Sequence, residues 1–237
     1  MSTINLLYAK QYAINDSIHI VVPTVGQIID NEDAYYGLVS VLTAMPIDLM
    51  CQLEDVGIDF ASINDYELFL IMFQGIKSQD TSLIFGDLDL SKFKIAVNEE
   101  NGTVVLLDDE HDIKIDRAIF GQIAATLRKI HHLEKNNRKP ANQEAKEYML
   151  KRAREKMKRK NRKEDSQLET LIVAMVNTEQ YKYDYEGTRE LSIYQFNESV
   201  RQIINKVDYD KRMIGVYAGT INAKELSQDD LNWLTHK

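Results

Sequence analysis

The chain has 237 residues, 44% of them hydrophobic, which is enough for one large domain or two small ones with hydrophobic cores. A formal charge of −8 disfavours a protein that wraps nucleic acid, and a single cysteine, Cys51, excludes internal disulfides and cysteine-rich zinc sites. Because the start lacks the features of a secretion signal and no apolar stretch approaches the ~20 residues of a membrane span, we expect a soluble cytosolic protein.

The first third of the chain passes from a strand-like to a helical pattern. Residues 4–22 contain two short apolar runs separated by a polar turn, which predicts a β-hairpin. The pattern is then helical to about residue 77. Within it, Asn64 and Glu67 form a capping-box pair ahead of ELFLIMFQGI. The apolar residues of this run surround the whole helix and predict that it is buried and central.

Residues 83–116 return to strand character. Three short runs rich in β-branched residues are separated by turns, the first of which ends in Asn101-Gly102, and this predicts a three-stranded β-meander. Asp116 then caps a predicted helix. The apolar face of that helix consists of Ile119, Phe120, Ile123, Leu127 and Ile130. The mixed N-terminal domain is expected to end near residue 133.

The most basic part of the chain follows a predicted linker at residues 134–143, EKNNRKPANQ. It reads MLKRAREKMKRKNRKED at residues 149–165. Residues 151–163 hold nine of the 29 Lys and Arg residues and one acidic residue, so the rest of the chain carries a charge of about −16. We predict an exposed helix over about 142–164. Its narrow stripe of small and apolar side chains consists of Ala145, Met149, Ala153 and Met157.

Beyond residue 166 the pattern is helical, and the apolar faces of the helices are expected to bury one another. Capping-box spacing marks the helix starts at Ser166 with Glu169, Ser192 with Gln195 and Ser227 with Asp230. Between the first two starts, QYKYDYEG places three tyrosines at period two and predicts a short extended segment. The predicted fold class is therefore α+β, with a mixed domain at 1–133, a linker and long basic helix at 134–165, and an all-helical domain at 166–237.

The sequence lacks the motifs of common catalytic sites, including a nucleophile elbow, a phosphate-binding loop, a dinucleotide fingerprint and a zinc-protease helix. Asp87 with Asp89 and the acidic run 108–112 are interpreted as solvated turns. His131 and His132 lie at the predicted end of a helix, where the helix dipole favours a charged imidazolium. The other histidines have no metal-ligand spacing to them. We expect no catalysis, no metal and no cofactor.

Three interpretations of the basic helix are open: a solvated connector, a protein-binding arm, and nonspecific contact with nucleic-acid phosphates. Sequence-specific contact with bases is disfavoured. Helices that make such contacts usually place their cations on one side together with aromatic or amide side chains, whereas here the cations are predicted to surround the helix and Tyr148 is the aromatic residue near them. We favour a weak, salt-sensitive protein contact carried jointly by the stripe and the cations. The predicted partner-binding residues are Ala145, Met149, Arg152, Ala153, Met157, Arg159 and Arg162.

The order of segments also resembles a known group of proteins. The stretches IHIVVPTVGQIIDNEDAYYGLV, MPIDLMCQLEDVGIDFASINDYELFLIMF, SLIFGDLDLSKFKI, GTRELSIYQFNESVRQI and GVYAGTINAKELSQDDLNWL are similar to proteins encoded in the tail-morphogenesis region of phages and prophages of Gram-positive bacteria. The resemblance spans nearly the whole chain. It implies a tail assembly chaperone, which would coat the helical tape-measure protein in the host cytoplasm until tail-tube subunits displace it. The alternatives are a permanent tail or baseplate component of the virion and an accessory nucleic-acid-binding protein that uses the basic helix.

Overall fold

A computed structural model describes residues 5–98, 102–159 and 166–234. Helices make up 56% of the fold, beside two small antiparallel sheets, and this confirms the predicted α+β class. The strands are β1 (Gln11–Ala13), β2 (His19–Val21), β3 (Lys94–Val97), β4 (Val104–Asp108) and β5 (Ile113–Ile115). The α-helices are α1 (Val25–Ile29), α2 (Glu32–Thr43), α3 (Met50–Asp55), α4 (Asp65–Ile76), α5 (Ser82–Phe85), α6 (Arg117–His131), α7 (Gln143–Arg159), α8 (Gln167–Val176), α9 (Tyr185–Glu190) and α10 (Ile193–Tyr217). Short 3₁₀ helices lie at Pro46–Leu49, Leu90–Lys92, Ala223–Glu225 and Asp229–Leu231.

The predicted hairpin is confirmed: β1 and β2 pair in antiparallel fashion, with Tyr12 opposite Ile20. Asn15 closes the turn between them. Its Oδ1 accepts hydrogen bonds from the backbone N–H groups of Ser17 and Ile18, at 3.0 and 2.7 Å. Ile18 and Ile20 are fully buried, so this small hairpin contributes directly to the main core.

The predicted β-meander is also confirmed, with β3, β4 and β5 adjacent in that order. Leu106 of the central strand lies opposite Ile95 on one side and Ile115 on the other. Leu106 and Ile115 are buried in the main core, whereas Ile95 on the outer strand is largely exposed. The centre of the first predicted turn, residues 99–101, lies outside the described residues.

Helix α4 is the buried central helix that the sequence predicts, and its capping box is confirmed. Asn64 Oδ1 accepts from the N–H groups of Tyr66 and Glu67 at 2.9 and 3.1 Å, and Glu67 Oε2 accepts from the Asn64 N–H at 2.8 Å. Phe69 packs in the main core, whereas Leu68 packs in a second cluster. Apolar residues surround this helix because it separates two hydrophobic clusters.

The main core joins the beginning and the end of the chain. Leu168 of α8 and Phe196 of α10 belong to the same cluster as the hairpin, the meander and helices α2, α4 and α6. The Ile193 N–H also donates to the Pro23 carbonyl at 2.9 Å. The C-terminal helices were expected to bury one another, but Leu168, Ile193 and Phe196 are buried in a cluster made mostly of N-terminal residues. The segment boundaries at 133 and 166 stay predictions, and they do not mark a break in this core.

Helix α10 begins at the predicted capping box. The Gln195 N–H donates to Ser192 Oγ at 3.2 Å, and the Ser192 N–H donates to Gln195 Oε1 at 3.1 Å. The C-terminal tail folds back on the later turns of this helix. Arg212 Nη1 donates to the Asp230 carbonyl at 3.0 Å, and Lys206 lies over the ring of Trp233. The second half of α10 therefore packs against the tail rather than in the main core.

The extended segment predicted for the three tyrosines is partly wrong. Tyr181 is buried and Tyr183 lies outside any helix, but Tyr185 is the first residue of α9. Asp184 Oδ1 accepts from the Gly187 N–H at 2.8 Å and thereby starts the helix. The period-two pattern was misleading because a capping residue lies between the second and third tyrosine.

Helix length and apolarity bear on whether the chain could cross a membrane. Within the three described ranges, no single helix is both long and apolar enough to do so. Glu32–Thr43 and Pro46–Asp55 meet the criteria as a pair, but they are bent by 119° relative to each other.

Candidate functional site

The described part of the basic segment belongs to helix α7, as predicted. Asn142 caps its start, since Asn142 Oδ1 accepts from the Ala145 N–H at 2.8 Å. The structure describes the helix as far as Arg159. For Arg159 itself, it describes the backbone but not the side chain. The remainder of the predicted helix, including the predicted partner-binding residue Arg162, lies outside the described residues.

The inner face of α7 packs on the protein itself. Leu150 is 7% exposed and belongs to the second cluster, whose buried members are Ile47, Cys51, Leu53, Phe60, Leu68 and Leu150. Met149 and Ala153 pack against this cluster, and Ala145 is half-buried. The predicted stripe is therefore largely occupied within the chain. The contacts of Met149 and Ala153 with the second cluster remove part of their apolar surface from water.

Two cations of α7 also anchor it to the body. Lys146 Nζ lies 3.1 Å from Asp59 Oδ1 and 3.3 Å from Glu54 Oε2, and these contacts, led by the Asp59 hydrogen bond, raise the pKa of Lys146. Arg154 Nη2 donates to Asp55 Oδ1 at 2.7 Å. Ion pairs near the surface are weak, so the buried leucine contributes most and the ion pairs set the orientation of the helix.

The C-terminal turns of α7 extend past the second cluster. Met157 follows Leu150 by two helical turns and lies on the same face, yet it is 50% exposed. Lys156 and Lys158 on either side of it are exposed. On the outer face, Arg152 Nη1 donates to Tyr148 Oη at 3.1 Å, and its guanidinium lies 5.8 Å from the tyrosine ring centroid. We call the exposed side chains of these turns the basic end: Tyr148, Arg152, Lys156, Met157 and Lys158.

Sequence reasoning missed Leu150, the most buried residue of α7 among those described. A signal was present: Leu150, Ala153 and Met157 recur at spacings of three and four, which places them on one helical face. The four-residue stripe chosen instead runs obliquely around the helix. A straight face centred on Leu150 would have placed this residue at the middle of the buried side of the helix.

The histidine pair at the end of α6 has an electrostatic environment that differs from the predicted one. Tyr35 Oη lies 2.9 Å from His131 Nε2, and burial, assisted by the neighbouring His132, lowers the pKa of His131 to about 4. The predicted imidazolium is wrong for His131, because loss of hydration outweighs the helix dipole. His132 closes the helix with a left-handed backbone, φ +53°, and burial lowers its pKa although Glu198 opposes the shift.

Comparison with known proteins gives a partial match. Residues 158–237 match the family described as the YomV second domain, a phage-associated name that belongs to a Bacillus prophage protein. This stretch contains helices α8, α9 and α10 and the tail that folds onto α10. No curated protein and no solved structure matches the chain. The match is consistent with a phage origin. It does not bear on tail morphogenesis in particular.

Proposed function

We propose that this protein is a non-enzymatic phage tail assembly factor that acts in the host cytoplasm as a chaperone for the tape-measure protein. The observation that carries the proposal is the way helix α7 is attached to the rest of the protein. Its inner face is fixed to the body by Leu150, Lys146 and Arg154, while its basic end is presented to solvent. The phage-associated family match supports the phage context, and the resemblance of the segment order supports a role in tails.

The chemistry of the basic end favours an acidic protein surface that binds weakly and reversibly. Met157 offers half of one apolar side chain, and exposed ion pairs add about 0–1 kcal/mol each and are screened by salt. Such a contact has low affinity per site. A chaperone that must be displaced by tail-tube subunits requires this property, and repeated sites along a long partner would compensate for it.

Two alternatives use the same surface differently. A permanent tail or baseplate component would place the basic end against an acidic neighbour in the virion. A nucleic-acid-binding accessory protein would place it on phosphates, but the charge of about −16 on the rest of the chain repels polyanions.

Mass spectrometry of purified virions separates the chaperone from the structural component. We expect virions to contain the tape-measure protein but not this protein. In lysates of producing cells, we expect this protein to co-purify with the tape-measure protein. Presence in virions at a fixed copy number would instead show a structural component.

Charge substitutions at the basic end test the contact itself. We expect Lys156→Ser with Lys158→Ser to weaken binding to the tape-measure protein at low salt and to have little effect at high salt. The matched control is Lys10→Ser with Lys114→Ser, which removes the same charge from exposed positions elsewhere. If the basic-end variant loses binding to duplex DNA but keeps every protein contact, the nucleic-acid alternative is correct.

A further inference from the structure

A surface cleft of about 260 Å³ lies beside the segment that follows α6. Residues 135–140 line it together with the residues that begin α4 and α6. Two side-chain contacts hold this segment in place: Lys135 Nζ donates to Asp65 Oδ2 at 2.8 Å, and Asn136 Nδ2 donates to Asp48 Oδ1 at 3.0 Å. The stretch EKNNRKPANQ, to which the proposed function gives no role, therefore forms a wall of a defined cleft.

The apolar lining of the cleft comes from the edge of the second cluster. Ile47 and Phe60 are buried members of that cluster, and both line the cleft. Met45 and Ile63 pack against the cluster, are half-buried and line the cleft as well. An apolar side chain that entered here would extend the second cluster and leave contact with water.

The charged lining of the cleft is basic. Within the part of the chain that the structure describes, four cations and one carboxylate line it. The carboxylate is Asp65, which is already bound by Lys135. The other three cations, Arg117, Arg138 and Lys139, are exposed and form no ion pair with a described residue. In a chain whose formal charge is −8, these three free cations at one cleft are complementary to an acidic ligand.

The carboxylates next to the cleft are engaged elsewhere. Asp116 precedes Arg117 but caps α6, since its Oδ1 accepts from the N–H groups of Ala118 and Ile119 at 2.9 Å. Asp48 accepts from Asn136 and from the Met45 N–H. Neither Asp116 nor Asp48 lines the cleft.

The lining favours a peptide over a polynucleotide or a small molecule. Proteins that bind single-stranded nucleic acid stack bases on accessible aromatic rings, whereas the aromatic residue that lines this cleft, Phe60, is 3% exposed. Small-molecule pockets have volumes of about 300–1,000 Å³, so a cleft of 260 Å³ suits one side chain of a longer ligand.

We propose that this cleft is a docking site for an acidic segment of another protein. One apolar side chain of that segment inserts against Ile47 and Phe60. Carboxylates on either side of it bind Arg117, Arg138 and Lys139, and each guanidinium can accept a carboxylate through two parallel hydrogen bonds. The inference is separate from the proposed function, because no residue of the basic end lines the cleft.

Fluorescence anisotropy of a labelled peptide, titrated with the full-length chain, tests the proposal. The probe is a peptide with a central leucine flanked on each side by four glutamates, and the comparison peptide has glycine in place of the leucine. We expect the leucine peptide to bind about tenfold more tightly, because burial of a leucine side chain is favourable. Equal binding of the two peptides would overturn the proposal.

Charge variants locate the bound peptide. Arg138→Ser with Lys139→Ser is expected to weaken binding of the leucine peptide about fivefold at low salt and less at high salt. The matched control is Lys10→Ser with Lys114→Ser, which removes the same charge from exposed positions outside the cleft. Equal losses in the two variants would show nonspecific attraction. A larger loss in Lys156→Ser with Lys158→Ser would place the peptide at the basic end, and either result would refute this inference without refuting the proposed function.

A cleft-filling variant tests the apolar part of the contact without a change of charge. Ala61 is half-buried and lines the cleft, so the larger side chain of Ala61→Leu would occupy the space of the inserted residue. We expect the advantage of the leucine peptide over the glycine peptide to disappear in this variant, and circular dichroism establishes that the variant is folded. An advantage that persists contradicts insertion. A labelled oligothymidylate that binds more tightly than the leucine peptide, and loses affinity in Arg138→Ser with Lys139→Ser, would show that the ligand is a nucleic acid instead.

Discussion

Replacing Leu150 by alanine tests how helix α7 is held on the protein. Leu150 is 7% exposed and packs with Cys51 and Leu53 in the second cluster. Truncation of a buried leucine costs about 2–5 kcal/mol, and a small cluster near the surface can relax, so we expect about 2–3 kcal/mol. The ion pairs of Lys146 and Arg154 lie at the protein surface and are too weak to replace it.

The loss is measured as the free energy of unfolding in guanidinium chloride, together with the rate of trypsin cleavage within α7. Met157→Ala is the matched control, because Met157 lies on the same face two turns later and is half exposed. We expect the control to cost less than about 1 kcal/mol and to leave the cleavage rate unchanged. Equal losses in the two variants would refute the conclusion that Leu150 anchors the helix.

Three other contacts give measurable expectations. The pKa of His131 is about 4 in the folded protein and about 6.5 when unfolded, so the unfolded chain binds the proton first and stability falls between pH 6.5 and 4, by at most about 3 kcal/mol. The melting temperature of His131→Gln should therefore depend less on pH over that window, and a steeper dependence would contradict the assignment. Tyr66→Phe removes the 2.7 Å hydrogen bond from Tyr66 Oη to a meander carbonyl and should cost about 1 kcal/mol in chemical denaturation. Ser192→Ala should lower the free energy of unfolding by about 1 kcal/mol through loss of the α10 cap, and Ser227→Ala in the exposed tail should lower it measurably less. Equal losses would show that the energy of a cap does not depend on whether the capped helix packs in the core.

The local elements were predictable because their determinants lie within a few residues of one another. The cap at Asn64 and Glu67, the cap at Ser192 and the β-branched runs of the meander each depend on hydrogen bonds or preferences that span one turn or one strand. The structure confirms them at the predicted positions. The α+β class follows from the same local signals.

The candidate site was only partly predictable. The charge and exposure of the basic end could be predicted from composition, and Met157 and Arg152 are exposed in the structure. The packing of Met149 and Ala153 against the second cluster could not be predicted, because it depends on α3, which is distant in sequence, packing against α7. A stripe of apolar residues indicates that something covers it, and does not indicate whether the cover is the same chain or another.

By itself, the sequence determined the capped starts of α4 and α10, the strands of the hairpin and the meander, and where the charge lies, since these properties depend on neighbours along the chain. The tertiary structure alone decided that the C-terminal helices complete an N-terminal core, that Leu150 anchors α7, and that Arg117 and Arg138 line one cleft. The physical reason is that apolar burial is not directional. Any two apolar faces can stabilise each other, so the pairing is selected by the geometry of the whole chain rather than by either segment.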